Sequence, residues 1–358
     1  MFVFADRRER LRSVLRREGL AALLVSLSAN RYYLSGFELH NPQENESAGM
    51  LLITATGPDV LYTDPRYRDM ALRLWPEAQL CVYAGNAAAV MAESMARQSP
   101  GAVGIEAEAL SLAFYEELKA ELPSRVELRQ VVGLVEELRR VKSHEELAAM
   151  QASCDLNHAM MRWLPTVLTP DRSEAATAWE VEKFFRKHGA SELAFPTIVG
   201  RGTNAALPHC IPGENVLRED DLVLVDAGCR LRDYCSDQTR TFWLGERPSP
   251  RFVETLAAVQ EAQRAAIALL RPGLPCNEAF EAAWAHFEKL GVAESFTHGL
   301  GHGVGLETHE APNLSRRCTL PLEPGMVVTV EPGLYDPAWG GVRWEHMAVI
   351  TESGCRIF

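Results

Sequence analysis

Four acidic residues stand where a strand-rich sequence has no structural use for charge. Asp226 closes the apolar run Leu222-Val-Leu-Val-Asp226, and Asp237 opens Ser236-Asp237-Gln-Thr-Arg-Thr-Phe. When two antiparallel strands are joined by a two-residue turn, facing positions carry numbers that add to an odd value, and 226 and 237 meet that condition. Both carboxylates therefore point to one side, opposed or one diagonal step apart. Like charges on one face beside Val225 weaken a sheet unless a shared proton or a metal cation compensates. The alternative is a bulge that turns one Asp to solvent. A second pair, Glu331 after Val327-Val-Thr-Val and Glu345 after Gly341-Val-Arg-Trp, sits at strand ends, where a lone glutamate is ordinarily a solvated turn residue.

Between the pairs lies Thr297-His298-Gly-Leu-Gly-His302-Gly-Val-Gly, followed by His309. Histidines four apart would share a helix face, but the glycines between 299 and 305 forbid a stable helix. The segment reads as a strand or loop that something approaches closely. Four carboxylates with one neutral imidazole carry four negative charges, the number that two divalent cations cancel. Such an oxygen-rich set suits Mn²⁺ or Co²⁺, with Zn²⁺ as a further fit. Two metals about 3.5–4 Å apart share a hydroxide and clamp a tetrahedral intermediate, which is hydrolytic chemistry.

The elements that must position these residues change in rhythm near residue 133. Before it, helix and strand patterns alternate. Helix 7–18 precedes strands near 21–27, 50–55 and 59–63 and a helix over 66–75. Then follow a helix near 87–97, a strand at 103–105, a helix at 111–121 and a strand at 126–132. Arg16, Arg17 and the apolar run from Leu20 imitate a signal peptide. Leu11, Val14 and Leu15 instead share one face of a charged helix, with Ala21–Leu27 as the strand behind it. After residue 133 a helix–helix–hairpin order occurs twice. Ser143 with Glu146 forms a capping box for a helix to about Leu164, and Ser173 caps a second, ending at Gly189. Strands at 222–226 and 234–244 follow, then helices from about 250 to Leu270 and from Asn277 to Leu290, then strands at 326–331 and 341–350.

With 358 residues, 47% hydrophobic and 23% charged, the chain can bury a core over roughly two to three domains. The net charge of −12 excludes a general nucleic-acid binder. No apolar run approaches the ~18 residues of a membrane span. Cysteines at 81, 154, 210, 229, 235, 276, 318 and 355 show no paired spacing and fit free thiols in a reducing cytoplasm.

The motifs strongly resemble the pita-bread metallopeptidases, specifically the two-domain Xaa-Pro peptidases, aminopeptidase P and prolidase. Asn30-Arg-Tyr-Tyr-Leu-Ser-Gly36 and Tyr62-Thr-Asp-Pro-Arg-Tyr67 resemble the creatinase-type N-terminal domain. Phe195-Pro-Thr-Ile-Val, Asn204-Ala-Ala-Leu-Pro-His209, Val225-Asp-Ala-Gly228, Tyr234–Phe242, the 298–305 segment, Glu331-Pro-Gly-Leu-Tyr335 and Gly341–Glu345 resemble the catalytic domain, in the family's order. The resemblance implies an α/β creatinase-type domain over 1–133 and an α+β pita-bread catalytic domain over 134–358. It implies that Asp226 and Glu345 bridge two divalent metals, that Asp237 completes one site, and that His302 and Glu331 complete the other. Glu331 would also orient or deprotonate the bridging water. His209, His298 and His309 would hold the scissile carbonyl and the proline side, and Arg343 would support the ligands from behind.

Two positions depart from the family pattern. His346 stands where Asp or Asn usually follows the last glutamate, and Arg232-Asp233 occupies a turn usually made with Gly. The short 331–345 connection holds no arginine besides Arg343, so no obvious group grips a dipeptide's carboxylate. Cleavage of Xaa-Pro bonds at the N-terminus of longer peptides is therefore expected over strict dipeptidase action. The resemblance also implies proline-containing peptide substrates and a cytoplasmic homodimer. The polar loop Glu38–Ser47, with Glu38, Glu44 and Glu46, is either a plain solvated loop or, being long enough, one that reaches the other subunit's site.

Overall fold

The computed structural model describes residues 2–43, 46–98 and 101–358. The chain divides into two compact units, Met1–Arg139 and Arg140–Phe358.

The first unit opens with α1 (Phe2–Arg17), which buries Leu11, Val14 and Leu15. The signal-like run becomes β1 (Ala22–Val25), wholly buried inside a sheet. The remaining elements are α2 (Ser28–Ser35), β2 (Gly49–Thr54), β3 (Val60–Thr63), α3 (Arg68–Leu74), β4 (Leu80–Val82), α4 (Ala87–Gln98), β5 (Gly101–Glu106), α5 (Leu112–Glu121), β6 (Val126–Val131) and α6 (Glu136–Arg140). The strands form one mixed sheet in the order β4-β3-β2-β1-β5-β6. Leu24, Leu52, Tyr62, Met91, Met95 and Val103 fill the core between one sheet face and the helices.

Two features of this unit differ from the sequence expectation. The boundary lies at 139/140, beyond 133/134. Tyr33 Oη donates to Leu138 O (3.1 Å) and Arg139 Nη1 to Asn30 Oδ1 (2.7 Å), which ties the last residues to the first unit. The loop 38–47, expected without pattern, is anchored. Fully buried Arg31 donates to Glu38 O (2.6 Å), Gly49 O (2.6 Å) and Asn41 Oδ1 (3.2 Å), and Arg66 pairs with Glu46 at 3.0 Å. Glu44 lies outside the described residues.

The second unit contains the twofold rhythm. Helices α7 (His144–Trp163, with the expected capping box) and α8 (Glu174–Lys187, capped by Ser173) precede β7 (Glu192–Leu193), β8 (Ile198–Arg201), β9 (Asp221–Ala227), β10 (Cys229–Leu231), β11 (Tyr234–Cys235) and β12 (Gln238–Leu244). Helices α9 (Pro250–Ile267) and α10 (Cys276–Lys289) precede β13 (Gly301–Gly303), β14 (Glu310–Leu314), β15 (Val327–Val330), β16 (Gly333–Asp336), β17 (Gly340–Arg343), β18 (His346–Ile350) and β19 (Cys355–Ile357). Core residues of α7 and α8 pack on Val223 and Val225, and those of α9 and α10 on Val328, Val330 and Val342. No helix among the described residues is long and apolar enough to cross a membrane.

Both hairpins bend where the sequence pattern runs straight. The first keeps one register on either side of a break, pairing Asp226 with Thr239 and Arg230 with Cys235. It breaks at Ser236–Asp237, where the strands close tightly: a Cβ on Gly228 would lie 2.1 Å from Ser236 O. The expected strand 341–350 divides into β17 and β18, which belong to different sheets. Val330 pairs with His346 and Gly333 with Arg343, so the same register carried through the bend sets Glu331 opposite Glu345. The 298–305 segment supplies β13, and the glycine reading holds, since a Cβ on Gly301 would sit 2.0 Å from Thr329 O.

Candidate metal centre

The two bent hairpins bring their acids together. Ligand atoms of Asp226, Asp237 and Glu345 all lie within 4.8 Å of one another, and the three residues are buried. The same-face reading of Asp226 and Asp237 is thereby realised, one diagonal step apart in the register. His302 from β13 approaches with Nε2 3.6 Å from Asp237 Oδ2 and 3.3 Å from Glu331 Oε1. Its Nδ1 lies 3.0 Å from Gly303 O, so the carbonyl takes the Nδ1 proton and Nε2 is the nitrogen turned to the carboxylates, a hydrogen-bond donor to Glu331 when protonated and a metal ligand when not.

Neighbouring groups fix one oxygen of most of these acids. Thr239 Oγ1 donates to Glu345 Oε2 (2.8 Å), Thr329 Oγ1 to Glu331 Oε1 (3.0 Å), and Arg343 Nη2 to Asp226 Oδ2 (2.7 Å). Asp226 Oδ1, Asp237 Oδ1 and Glu345 Oε1 are buried without a hydrogen-bond partner. Three buried carboxyls, each with an unpartnered oxygen and with ligand atoms this close together, are costly to ionise unless a cation meets them. The donor set therefore fits divalent metal.

The electrostatics agree. Burial, and then repulsion from Glu345, Asp226 and Glu331, pushes the Asp237 carboxyl well above its usual range. Burial and repulsion from Glu331 and Asp226 do the same to Glu345. Burial also opposes the charge on Glu331, but the hydrogen bond from His302 and the charges of His302, His298 and Arg343 outweigh it and bring that carboxyl down to about 2. On His302, burial opposes the charge, but the hydrogen bond and charge of Glu331, the Gly303 carbonyl and the charge of Asp226 together outweigh it and raise the imidazole.

Around the acids lies a cavity of about 650 Å³, walled by Phe195, Pro196, Ile211, Pro212, Asn313 and Ser315 together with the functional side chains. His209, His298 and His309 all line it. The His309 ring stands edge-on to His302 at 4.2 Å, and burial followed by the His302 charge lowers its pKa. His298 is engaged at both nitrogens, Nδ1 with Gly299 O and Nε2 with Tyr335 Oη, each at 2.7 Å. Tyr335 Oη accepts from Arg343 Nη1 (2.9 Å), so its own proton goes to His298 Nε2.

A hydrogen-bonded chain thus runs from Asp226 through Arg343 and Tyr335 to His298. Sequence reasoning gave no role to Tyr335, Thr239 or Thr329. The available signal was strand alternation, which sets Thr239 two positions from Asp237 and Thr329 two from Glu331.

Residues 148–352 match metallopeptidase family M24, and residues 7–141 match the creatinase/prolidase N-terminal domain. The chain belongs to metallopeptidase family M24, in its two-domain form with the pita-bread catalytic fold. It is similar to the Xaa-Pro dipeptidase of Pyrococcus horikoshii, 30% identical over 99% of this chain and 97% of that one. Among solved structures, an Xaa-Pro dipeptidase from Bacillus anthracis superposes with a TM-score of 0.92 at 33% identity, covering 99% of this chain and 97% of that chain. An X-Pro aminopeptidase from Thermotoga maritima superposes with a TM-score of 0.84 at 29% identity, covering 95% of each chain.

Proposed function

We propose that the chain is a metal-dependent peptidase that hydrolyses the bond between a residue and a following proline, acting first as an Xaa-Pro dipeptidase. The observation that carries the metal reading is the convergence of Asp226, Asp237 and Glu345 with one unpartnered oxygen each. The dipeptidase reading rests on the full-length relatives of that name, and it revises the aminopeptidase expected from sequence.

Asp226, Asp237, His302, Glu331 and Glu345 would hold two divalent cations, for which Mn²⁺ or Co²⁺ suits the oxygen-rich set. Bound there, the cations supply Lewis acidity toward a carbonyl and acidify water near neutral pH. Glu331 Oε1 is occupied by His302 and Thr329, so Oε2, which has no hydrogen bond among the described residues and lies 3.9 Å from Arg343 Nε, would take the proton of the attacking water and return it to the leaving proline nitrogen. His209 and His309, imidazoles on the cavity wall, steady the oxygen on which charge develops. The apolar stretch Phe195, Pro196, Ile211 and Pro212 suits a pyrrolidine ring.

One observation favours the aminopeptidase as a second reading. Arg343 is the sole Arg or Lys among the described residues lining the cavity, and Asp226, Tyr335 and Thr239 already occupy its guanidinium. A dipeptide's carboxylate therefore finds no bidentate partner in this wall. Comparing kcat/KM on an Xaa-Pro dipeptide and the matching tripeptide decides the matter: equal or better cleavage of the tripeptide overturns the dipeptidase reading. A homodimer remains part of the proposal, and light scattering that shows a monomer at assay concentration removes it.

A further inference from the structure

Behind the acidic cluster, on the side away from the cavity lining, three polar side chains meet that the reaction does not use. His346 opens β18 directly after Glu345. Its Nε2 lies 2.9 Å from Arg240 Nη2, and its Nδ1 lies 3.1 Å from Gln263 Oε1 on α9. Arginine has only donors, so Nε2 accepts and the proton must sit on Nδ1, where it is donated to Gln263. One neutral tautomer satisfies both contacts.

The far ends of the bridge matter more. Gln263 Nε2 donates to Val330 O (2.7 Å) and to Trp344 O (3.1 Å), the carbonyls of the residues just before Glu331 and Glu345. Arg240 Nη1 donates to the carbonyls of Thr239 and Glu345, while its guanidinium lies over the Trp344 ring at 4.2 Å. Three carbonyls at the bend of the second hairpin, those of Val330, Trp344 and Glu345, are thus held by a single connected set. These glutamates sit between β15 and β16 and between β17 and β18, outside regular strand pairing. Each keeps a single backbone bond there, Glu331 N to Leu300 O (2.8 Å) and Glu345 N to Thr239 O (3.2 Å), so the carbonyls held by Gln263 and Arg240 share in setting their direction.

We infer that His346, through Gln263 and Arg240, is a positioning residue that aims Glu331 and Glu345 at the shared metal site. The inference rests on the metal-centre reading above and adds to it a residue where the family pattern has Asp or Asn. His346 touches neither cavity nor cluster; it sets the bend on which both glutamates are carried. Outer contacts of this kind change metal affinity about 10- to 100-fold when removed.

The test uses the full chain. Mn²⁺ dissociation constants and the visible absorption of the Co²⁺ form are measured for the parent, His346→Phe, Gln263→Met, the double variant and His346→Asn. Thermal melting of the metal-free proteins establishes that each is folded at the assay temperature.

His346→Phe and Gln263→Met are each expected to weaken Mn²⁺ binding about 10- to 100-fold and to alter the Co²⁺ spectrum, and the double variant to be no worse than either. His346→Asn places an amide N–H where Nδ1–H stands, and is expected to recover most of the affinity and the parent spectrum. A His346→Phe protein that is folded, with parent-like Mn²⁺ affinity and Co²⁺ spectrum, overturns the inference. So does His346→Asn as weak as His346→Phe. A parent that takes up no divalent metal overturns the metal-centre reading itself.

Discussion

Asp237→Asn separates the two properties that the acidic cluster combines, self-repulsion and metal binding. Asp237 is buried with Oδ1 unpartnered, and its ligand atom lies within 4.8 Å of those on Asp226 and Glu345. At an effective dielectric near 20, two unit charges that far apart repel by about 3.5 kcal/mol. The metal-free site avoids part of this by holding protons. An amide of the same shape removes one charge, so metal-free Asp237→Asn is expected to melt no lower than the metal-free parent.

Metal reverses the order. Mn²⁺ at a hundred times its dissociation constant stabilises the parent by about 2.7 kcal/mol. For a catalytic unit of this size that is a rise of about 5–10 °C in Tm. The variant, lacking a ligand, is expected to show at most a small part of that rise and to retain at least one metal fewer per chain. Differential scanning calorimetry with and without Mn²⁺, combined with elemental analysis, reads both. Wild-type stoichiometry with a wild-type Tm rise in Asp237→Asn refutes the ligand assignment.

Three further outcomes follow from the geometry. His309→Ala is expected to lower kcat about 100-fold with metal content unchanged; joint loss of metal would make it a ligand. Gly301→Ala drives a Cβ to 2.0 Å from Thr329 O and parts β13 from β15, so it is expected to lose more than about 3 kcal/mol in urea unfolding of the catalytic unit. In the first unit, burial lifts Glu106 to about 7 despite hydrogen bonds from Ser26, Leu27 and Asn30. A carboxyl raised on folding contributes stability that is complete below about pH 4.5 and lost as pH rises to 7, here about 3 kcal/mol. Unfolding of that unit, followed from pH 4.5 to 8, should show this slope in the parent and not in Glu106→Gln; equal slopes dismiss the reasoning.

What the sequence determined by itself is local and periodic. The pleat has a period of two, so the same-face placement of Asp226 and Asp237 could be read from their numbers, and the structure shows it. Helix caps at Ser143 and Ser173 were legible because a cap is set by residues three positions apart. The alternating glycines of 299–305 announced close backbone contact. The order of motifs carried the family and the fold.

Tertiary structure decided what joins distant segments. Short α2 carries no long apolar period, and the anchoring of loop 38–47 depends on Arg31 bonds to groups on both sides of the loop. The breaks at 236–237 and 344–345 are invisible in β-propensity; at the first the backbone closes on Gly228, and at the second Gln263 and Arg240 hold the carbonyls of Trp344 and Glu345. Arg343 meets Asp226, and Thr239 meets Glu345, only after two hairpins more than a hundred residues apart in the chain have folded against each other. Alternation along a strand tells which side a carboxylate faces. Which other charge it will face there is set by the core beneath both hairpins, and no local pattern records that.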